Sequence, residues 1–211
     1  MLKTLLSNFY PISCSRYHNQ DLFPGDLLFY RANSVARYVS DFISGVSAVS
    51  PESIYHVAIV VESNLDYIAV VQSLPENGVS ISYYNNICVV ENILSTIEVR
   101  RVDVDKYTAN KAIEIVRQYI GEAYNDKFSP DFNNSKGEHS FYCSQLIQHA
   151  YNEASDSEVF PSHPMGFPGQ DGKVSTYWLE YFEKLNVEVP VGVNGSHPGI
   201  MYESNFLIDI I

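Results

Sequence analysis

The segment FYCSQLIQ, residues 141–148, places a single cysteine, Cys143, where a helix is predicted to begin. Ser140 is of a residue type that caps helix N-termini. The apolar residues that follow share one helical face with the cysteine: Leu146, Ile147, Ala150 and Tyr151. Unpaired N–H groups and the positive end of the helix dipole stabilise a thiolate and a developing oxyanion. These features predict a nucleophilic Cys143 with a lowered pKa; the alternative is a small, buried core residue.

A histidine stands near the start of the apolar segment YHVAIVV, residues 55–61. The β-branched residues of this segment predict a buried strand, and a histidine that opens such a strand can lie at the rim of a sheet. Cysteine chemistry needs a neighbour there, which takes the thiol proton and later protonates the leaving group. We therefore predict His56 as the base. A hydrogen-bonded structural histidine is the alternative role, and His139 is the rival base.

Several short motifs follow one another in an order that resembles a known family. They are Gly25-Asp26-Leu27-Leu28-Phe29, His56-Val57-Ala58-Ile59-Val60, Gly121-Glu122-Ala123-Tyr124, Tyr142-Cys143-Ser144-Gln145-Leu146 and Gly195-Ser196-His197-Pro198-Gly199. This order resembles the YiiX/YebB-like group, circularly permuted members of the NlpC/P60 papain-like superfamily in which the histidine precedes the cysteine. The resemblance covers roughly residues 22–208. It implies an α+β fold in which an antiparallel sheet or small barrel packs against helices, with one domain spanning residues 1–211.

The resemblance also implies roles for further residues. It strengthens the prediction of Cys143 as nucleophile and His56 as base, and it implies that Tyr124 borders the substrate, with plain packing as the alternative. Tyr142 precedes the nucleophile and is a candidate to support the oxyanion with its backbone or hydroxyl. The family usually carries an acidic third residue, but this chain has Gln72 at the end of the strand after the histidine strand. A glutamine oxygen can still accept the imidazole N–H and fix the tautomer, although it adds no charge. Glu76 is the alternative third residue, in a predicted loop.

Composition excludes several classes of function. The 211 residues carry a formal net charge of -12 without a cluster of Lys and Arg, which argues against nucleic acid and anionic membranes as partners. An apolar fraction of 45% is ordinary for a globular protein, and no apolar run approaches the length of a membrane span. The expected partner is a small-molecule, peptide or lipid-like acyl substrate.

Cys14, Cys88 and Cys143 lie far apart, so no CxxC zinc or redox motif is present, and neither a metal nor an organic cofactor is expected. The apolar patch at residues 1–6 is too short for a convincing signal peptide, which favours the cytoplasm.

Periodicity and turn residues predict the elements around these residues. Strands are expected at about residues 27–30, 55–62, 66–72, 79–83 and 97–102, with turns at Asn64 and at Asn77-Gly78. Helices are expected at residues 34–44, at 109–121 and after Ser175. The Pro- and Gly-rich runs 129–138 and 157–172 either shape a groove beside the nucleophile or are disordered or simple surface crossings. His163 and His197 are expected in loops or on the surface.

The predicted function is a cysteine hydrolase, a peptidase or amidase that cleaves an amide or ester through a thioester intermediate. The resemblance allows peptides, cell-wall peptides or lipid-linked acyl groups as substrates. Two alternatives stay open: an acyltransferase that passes the same thioester to another acceptor, and a catalytically weak ligand-binding module, for which Gln72 is the only hint.

Overall fold

An antiparallel seven-stranded sheet forms the centre of the protein. The structure is a computed structural model that describes residues 16–33, 53–85, 87–88, 90–92, 95–168 and 171–210. In chain order its strands are β1 (Arg16–Tyr17), β2 (Leu27–Ala32), β3 (Ile54–Ser63), β4 (Ile68–Leu74), β5 (Gly78–Tyr84), β6 (Ile87–Cys88), β7 (Val90–Asn92), β8 (Ser95–Val102), β9 (Ala123–Tyr124), β10 (Ser140–Phe141), β11 (His163–Pro164), β12 (Asn194–Gly195) and β13 (Leu207–Asp209). Its α-helices are α1 (Lys106–Gln118), α2 (Cys143–Ala154), α3 (Thr176–Leu185) and α4 (Pro198–Tyr202), and Asn19–Asp21 form a 3-10 turn.

The central sheet has the order β13-β8-β2-β3-β4-β5, with β7 also paired to β8. Alternate residues of β3 and β4 belong to two hydrophobic clusters, one on each face of the sheet. Val57 and Ile59 face the helices, whereas Ala58 and Val60 pack with Leu28 on the other face. Because both faces are covered, these strands read as continuous apolar runs rather than as an alternating pattern.

Helices α1 and α2 pack against each other, and α2 also packs on β3 and β4. The side chain of Asp105 caps α1 by accepting a 2.8 Å hydrogen bond from the Thr108 N–H. The apolar face of α2 is buried, and the hydroxyl of Tyr151 donates to the Gly25 carbonyl at 2.6 Å. This bond fixes the helix relative to the start of β2.

Most of the predicted elements that fall within the described residues are confirmed. Four of the five strands occur with longer bounds, and the strand predicted at 66–72 is shifted to Ile68–Leu74. The turns lie at Asn64 and Asn77-Gly78, and the helix predicted at 109–121 spans Lys106–Gln118. Ser175 caps α3 and accepts from the Trp178 N–H at 3.3 Å. The helix predicted at 34–44 lies outside the described residues. No helix in the described ranges combines the length and apolarity needed to cross a membrane.

The prediction of Ser140 as the cap of the nucleophile helix is wrong. Ser140 lies in β10, where it pairs with Ala123, and its N–H donates to the Phe132 carbonyl at 2.8 Å. These bonds hold its backbone extended, so α2 begins at Cys143 with Tyr142 in the N-cap position. The long run 129–138 folds back on itself through a bridge between Asn133 and His139.

Candidate active site

Cys143 is the first residue of α2, and buried amides hold this helix start in place. The Gln145 oxygen accepts from the Tyr142 N–H at 3.4 Å and from the Asn125 amide at 3.0 Å. The side-chain amides of Gln145 and Asn125 both donate to the Ser129 carbonyl at 2.8 Å. Sequence reasoning missed these two residues. A glutamine three positions after the N-cap was the available signal, because this is the arrangement of a capping box.

The thiol of Cys143 lies against three backbone amides. It accepts from the N–H groups of Cys143 and Ser144 at the helix start and from that of Val57, the residue after His56. These bonds favour the thiolate, as expected from the helix position. Burial outweighs them and raises the pKa of Cys143 to about 11, since only 8% of the residue is exposed. The lowered pKa predicted from the helix start is therefore wrong for the substrate-free protein.

His56 on β3 is held by Gln72 on the neighbouring strand β4. The Nε2 atom of His56 lies 2.8 Å from Oε1 of Gln72, and the Gln72 amide donates to the Ser82 hydroxyl at 3.1 Å. Because Oε1 is an acceptor, Nε2 carries the proton and Nδ1 keeps the lone pair that a base needs. Burial lowers the pKa of His56 to about 4, against the opposite effect of the Gln72 hydrogen bond. Imidazole and thiol are thus both neutral near pH 7.

Strand β4 also holds the start of the helix. Ser73, the residue after Gln72, donates through its hydroxyl to the Phe141 carbonyl at 2.6 Å. Successive side chains of a strand point to opposite faces, so these two neighbours make separate contacts. One strand therefore positions both the candidate base and the segment that leads into Cys143.

Two cavities meet at Cys143, which lines both together with Tyr55 and Tyr124. The aromatic cavity, of about 270 Å³, is bounded largely by rings, among them Phe128, Tyr142, Phe167 and Trp178. The histidine cavity, of about 210 Å³, is lined by His56, Gln72, Ser73, Leu74, Pro75, Tyr30 and Tyr84. The structure thus brings Cys143, His56, Gln72 and Tyr124 around one cavity. Tyr142 borders the other one.

Residues that the sequence did not associate with the active site line the aromatic cavity. His163 and His197, expected in loops or on the surface, line it. So does residue 167 from the long run 157–172, which supports the interpretation that this run shapes a groove. The hydroxyl of Tyr142 accepts from the Ser196 N–H at 2.9 Å, and the Ser196 hydroxyl donates to that of Ser144 at 3.0 Å. These contacts join the segment before α4 to the start of α2.

The alternative base, His139, and the alternative third residue, Glu76, line neither cavity at Cys143. His139 is half-exposed, faces Glu122 with 3.4 Å between Nδ1 and Oε2, and lines neither of the cavities at Cys143. Glu76 is exposed in the turn between β4 and β5 and is likewise absent from both linings. His56 and Gln72, by contrast, line a cavity together with Cys143.

Comparison with known proteins agrees with this arrangement. Residues 21–205 match the family described as a permuted papain-like amidase enzyme, YaeF/YiiX, C92 family. The chain belongs to this family. As a C92 protein it is a papain-like amidase, an enzyme of the cysteine hydrolase class. No curated protein matches the sequence.

A solved structure shares the fold of this C92 protein. The metalloprotein yiiX from Escherichia coli O157:H7 aligns with a TM-score of 0.62 at 16% identity, covering 88% of this chain and 94% of that one. Its name calls that protein a metalloprotein. In this chain, no three His, Cys, Asp or Glu side chains of the described residues group as metal ligands. We assign no step of the reaction to a metal.

Proposed function

We propose that the protein cleaves an amide or ester bond through a thioester on Cys143, with His56 as base and Gln72 as the residue that orients it. The observation that carries this proposal is the 2.8 Å contact between His56 and Gln72, in a cavity that Cys143 also lines. Cysteine hydrolases need a thiol, a base beside it and a group that holds the base. All three types of group meet here.

The reaction begins with both groups neutral. As the substrate carbonyl approaches, the thiol proton moves to Nδ1 of His56 while Sγ forms a bond to the carbonyl carbon. The tetrahedral intermediate collapses, the bond to the leaving group breaks, and His56 transfers the proton to the departing amine or alcohol. A water molecule then attacks the thioester. His56 takes one of its protons and returns it to the thiol as the acid leaves.

The start of α2 supplies the oxyanion site. The N–H of Cys143 lies in the first turn, where backbone donors have no partner within the helix, and the positive end of the helix dipole adds to it. Tyr124, on β9, lines both cavities beside the thiol, and burial raises the pKa of its hydroxyl well above the ordinary value. A hydroxyl that stays protonated can donate a hydrogen bond to the substrate. Tyr142 lines the aromatic cavity and contacts the substrate there.

Variants of the candidate base test these roles. His56→Ala should lower the rate of acylation by about tenfold or more at neutral pH, because the thiol then loses its proton acceptor. Cys143→Ala should abolish it. His139→Ala is the matched control and should change the rate little. The measurement is burst kinetics with a panel of neutral p-nitrophenyl esters and p-nitroanilides; loss of the burst in His139→Ala with retention in His56→Ala would overturn the assignment.

The same experiment separates hydrolysis from acyl transfer. With an added primary amine, a hydrolase releases mainly the free acid, whereas a transferase releases mainly the new amide. Both outcomes pass through the thioester on Cys143, so the roles of the three residues do not depend on which one is found.

A further inference from the structure

The two cavities at Cys143 are not equivalent in the reaction. Both open onto the thiol, because Cys143, Tyr55 and Tyr124 line each of them. His56 lines the histidine cavity only. The nucleophile therefore stands at a junction, and the proton donor for the leaving group stands on one side of it.

The position of His56 decides the direction of the substrate. In the first half of the reaction the bond between the carbonyl carbon and the amine nitrogen breaks, and this nitrogen takes the proton that His56 received from the thiol. A proton donor acts within hydrogen-bond distance, so the nitrogen must lie on the side of His56. The acyl group stays bonded to Sγ and extends the other way, into the aromatic cavity.

The lining of each cavity indicates the chemistry that it accepts. Among the described residues, no Asp, Glu, Lys or Arg side chain lines either cavity. A carboxylate buried there would have no Lys or Arg as counter-ion, which is unfavourable in surroundings of low polarity. The formal net charge of -12 further disfavours anionic substrates. Rings bound most of the aromatic cavity, whose polar lining residues are Ser144, Ser196, His163 and His197. The histidine cavity places the polar side chains of Gln72 and Ser73 beside His56.

We propose that the substrate is a neutral amide whose apolar acyl group fills the aromatic cavity and whose uncharged, hydrogen-bonding amine occupies the histidine cavity. The proposal rests on the thioester chemistry above and adds the direction and the charge of the substrate. It disfavours carboxylate-rich cell-wall peptides.

One residue at the rim of each cavity permits a matched test. Ile200 lines the aromatic cavity and is 41% exposed, and Leu74 lines the histidine cavity and is partly exposed. Either position can carry a longer side chain without disturbing the buried core. Ile200→Arg and Leu74→Arg each place one cation beside one cavity, where it can pair with a carboxylate.

The experiment compares the two variants on two pairs of substrates. One pair shares p-nitroaniline as leaving group and differs in the acyl group, hexanoyl against a six-carbon acyl group ending in a carboxylate. The other pair shares the hexanoyl group and differs in the amine, tyramine against tyrosine. Ile200→Arg should raise kcat/KM for the carboxylate-tipped acyl group, relative to hexanoyl, by about tenfold, and Leu74→Arg should do so for tyrosine relative to tyramine.

The rate of deacylation gives an independent readout. The hexanoyl-enzyme has already lost its leaving group, so in Leu74→Arg it should hydrolyse at one rate whether tyramine or tyrosine was the amine, which confines the rescue to the acylation step. The reverse pattern, in which Leu74→Arg rescues the anionic acyl group and Ile200→Arg the anionic amine, would overturn the proposed direction. Equal rescue by both variants would show that the cavities do not separate the two parts of the substrate. If the wild type formed no acyl-enzyme with any donor, the thioester chemistry itself would be wrong.

Discussion

At the scale of single residues, the catalytic pair is held in its neutral form. Three backbone N–H groups favour the thiolate of Cys143, but burial dominates and raises its pKa to about 11. Burial likewise lowers the pKa of His56 to about 4. With a pKa of 11, only about one thiol in ten thousand is ionised at pH 7. This small fraction favours proton transfer to His56 that accompanies the attack on the substrate.

Burial keeps the pair neutral, and Gln72 opposes it only in part, because its hydrogen bond raises the pKa of His56 without adding charge. Gln72→Glu should raise the pKa of His56 and lower that of Cys143, since a carboxylate favours the imidazolium. Alkylation of Cys143 near pH 7 should become faster, and the inflection in the pH profile of its rate should move below pH 11.

Gln72→Ala should lower the rate of acylation by roughly tenfold to a hundredfold, as expected for a lost supporting hydrogen bond.

The measurement for these variants is the pH profile of iodoacetamide labelling at Cys143, read by peptide mapping. Ser82→Ala is the matched control: it removes the partner of the Gln72 amide but keeps the acceptor for His56, so its effect should be smaller than that of Gln72→Ala. Unchanged profiles in both Gln72 variants, together with loss of activity in Glu76→Ala, would make Glu76 the third residue.

At the scale of elements, local sequence patterns predicted the strands and turns, whereas features that depend on long-range contacts were not predicted. The strands around His56 and Gln72 follow from runs of β-branched residues, and the turn at Asn77-Gly78 follows from its residue types. The cap of α2 was mispredicted because Ser140 is held extended by pairing with residues distant in sequence. The aromatic cavity could not be predicted, because its rings come from separate segments that only the tertiary fold brings together.

Gly78 is an element-scale feature whose substitution should be costly. It adopts a φ of +60°, and a Cβ atom there would lie 2.1 Å from the Glu122 carbonyl oxygen, at the contact between β5 and the segment before β9. Gly137 shares the positive φ, at +78°, but has nothing within 4 Å of a Cβ. Gly137→Ala should cost about 1–2 kcal/mol from backbone strain alone. Gly78→Ala should cost at least about 2 kcal/mol more.

Urea unfolding of the two variants measures this difference. Since both substitutions remove a glycine in the same φ region, the difference reports the close approach at Gly78. Equal losses of stability would contradict the packing described for this contact.

At the scale of the whole molecule, the resemblance to a family predicted the fold and the class of enzyme, which composition could not predict. The matched range, residues 21–205, is close to the 22–208 expected from the order of motifs, although the solved yiiX structure shares only 16% of its residues. Charge and composition only argued against some classes of partner. The balance between burial and hydrogen bonding at the thiol depends on packing from several elements, so the spacing of residues could not predict it.

Burial of a neutral histidine also links the stability of the whole fold to pH. The pKa of His56 is about 4 in the folded state and 6.5 when unperturbed, so the unfolded chain binds the proton more tightly. This difference in pKa stabilises the folded protein above pH 6.5. About 3 kcal/mol of that stabilisation is lost as the pH falls towards 4. His56→Gln removes this titration, so its free energy of unfolding should fall less between pH 7 and 4 than that of wild type. Parallel losses in urea unfolding would contradict a neutral, buried His56.

The most direct test of the central claim is the intact mass of the protein after a short incubation with the hexanoyl ester of p-nitrophenol and an acid quench. Wild type should gain one hexanoyl group, peptide mapping should place it on Cys143, and hydroxylamine should remove it as expected for a thioester. Cys143→Ala should gain none. Acylation of Cys14 or Cys88 in place of Cys143, or an equal gain in Cys143→Ala, would contradict the account.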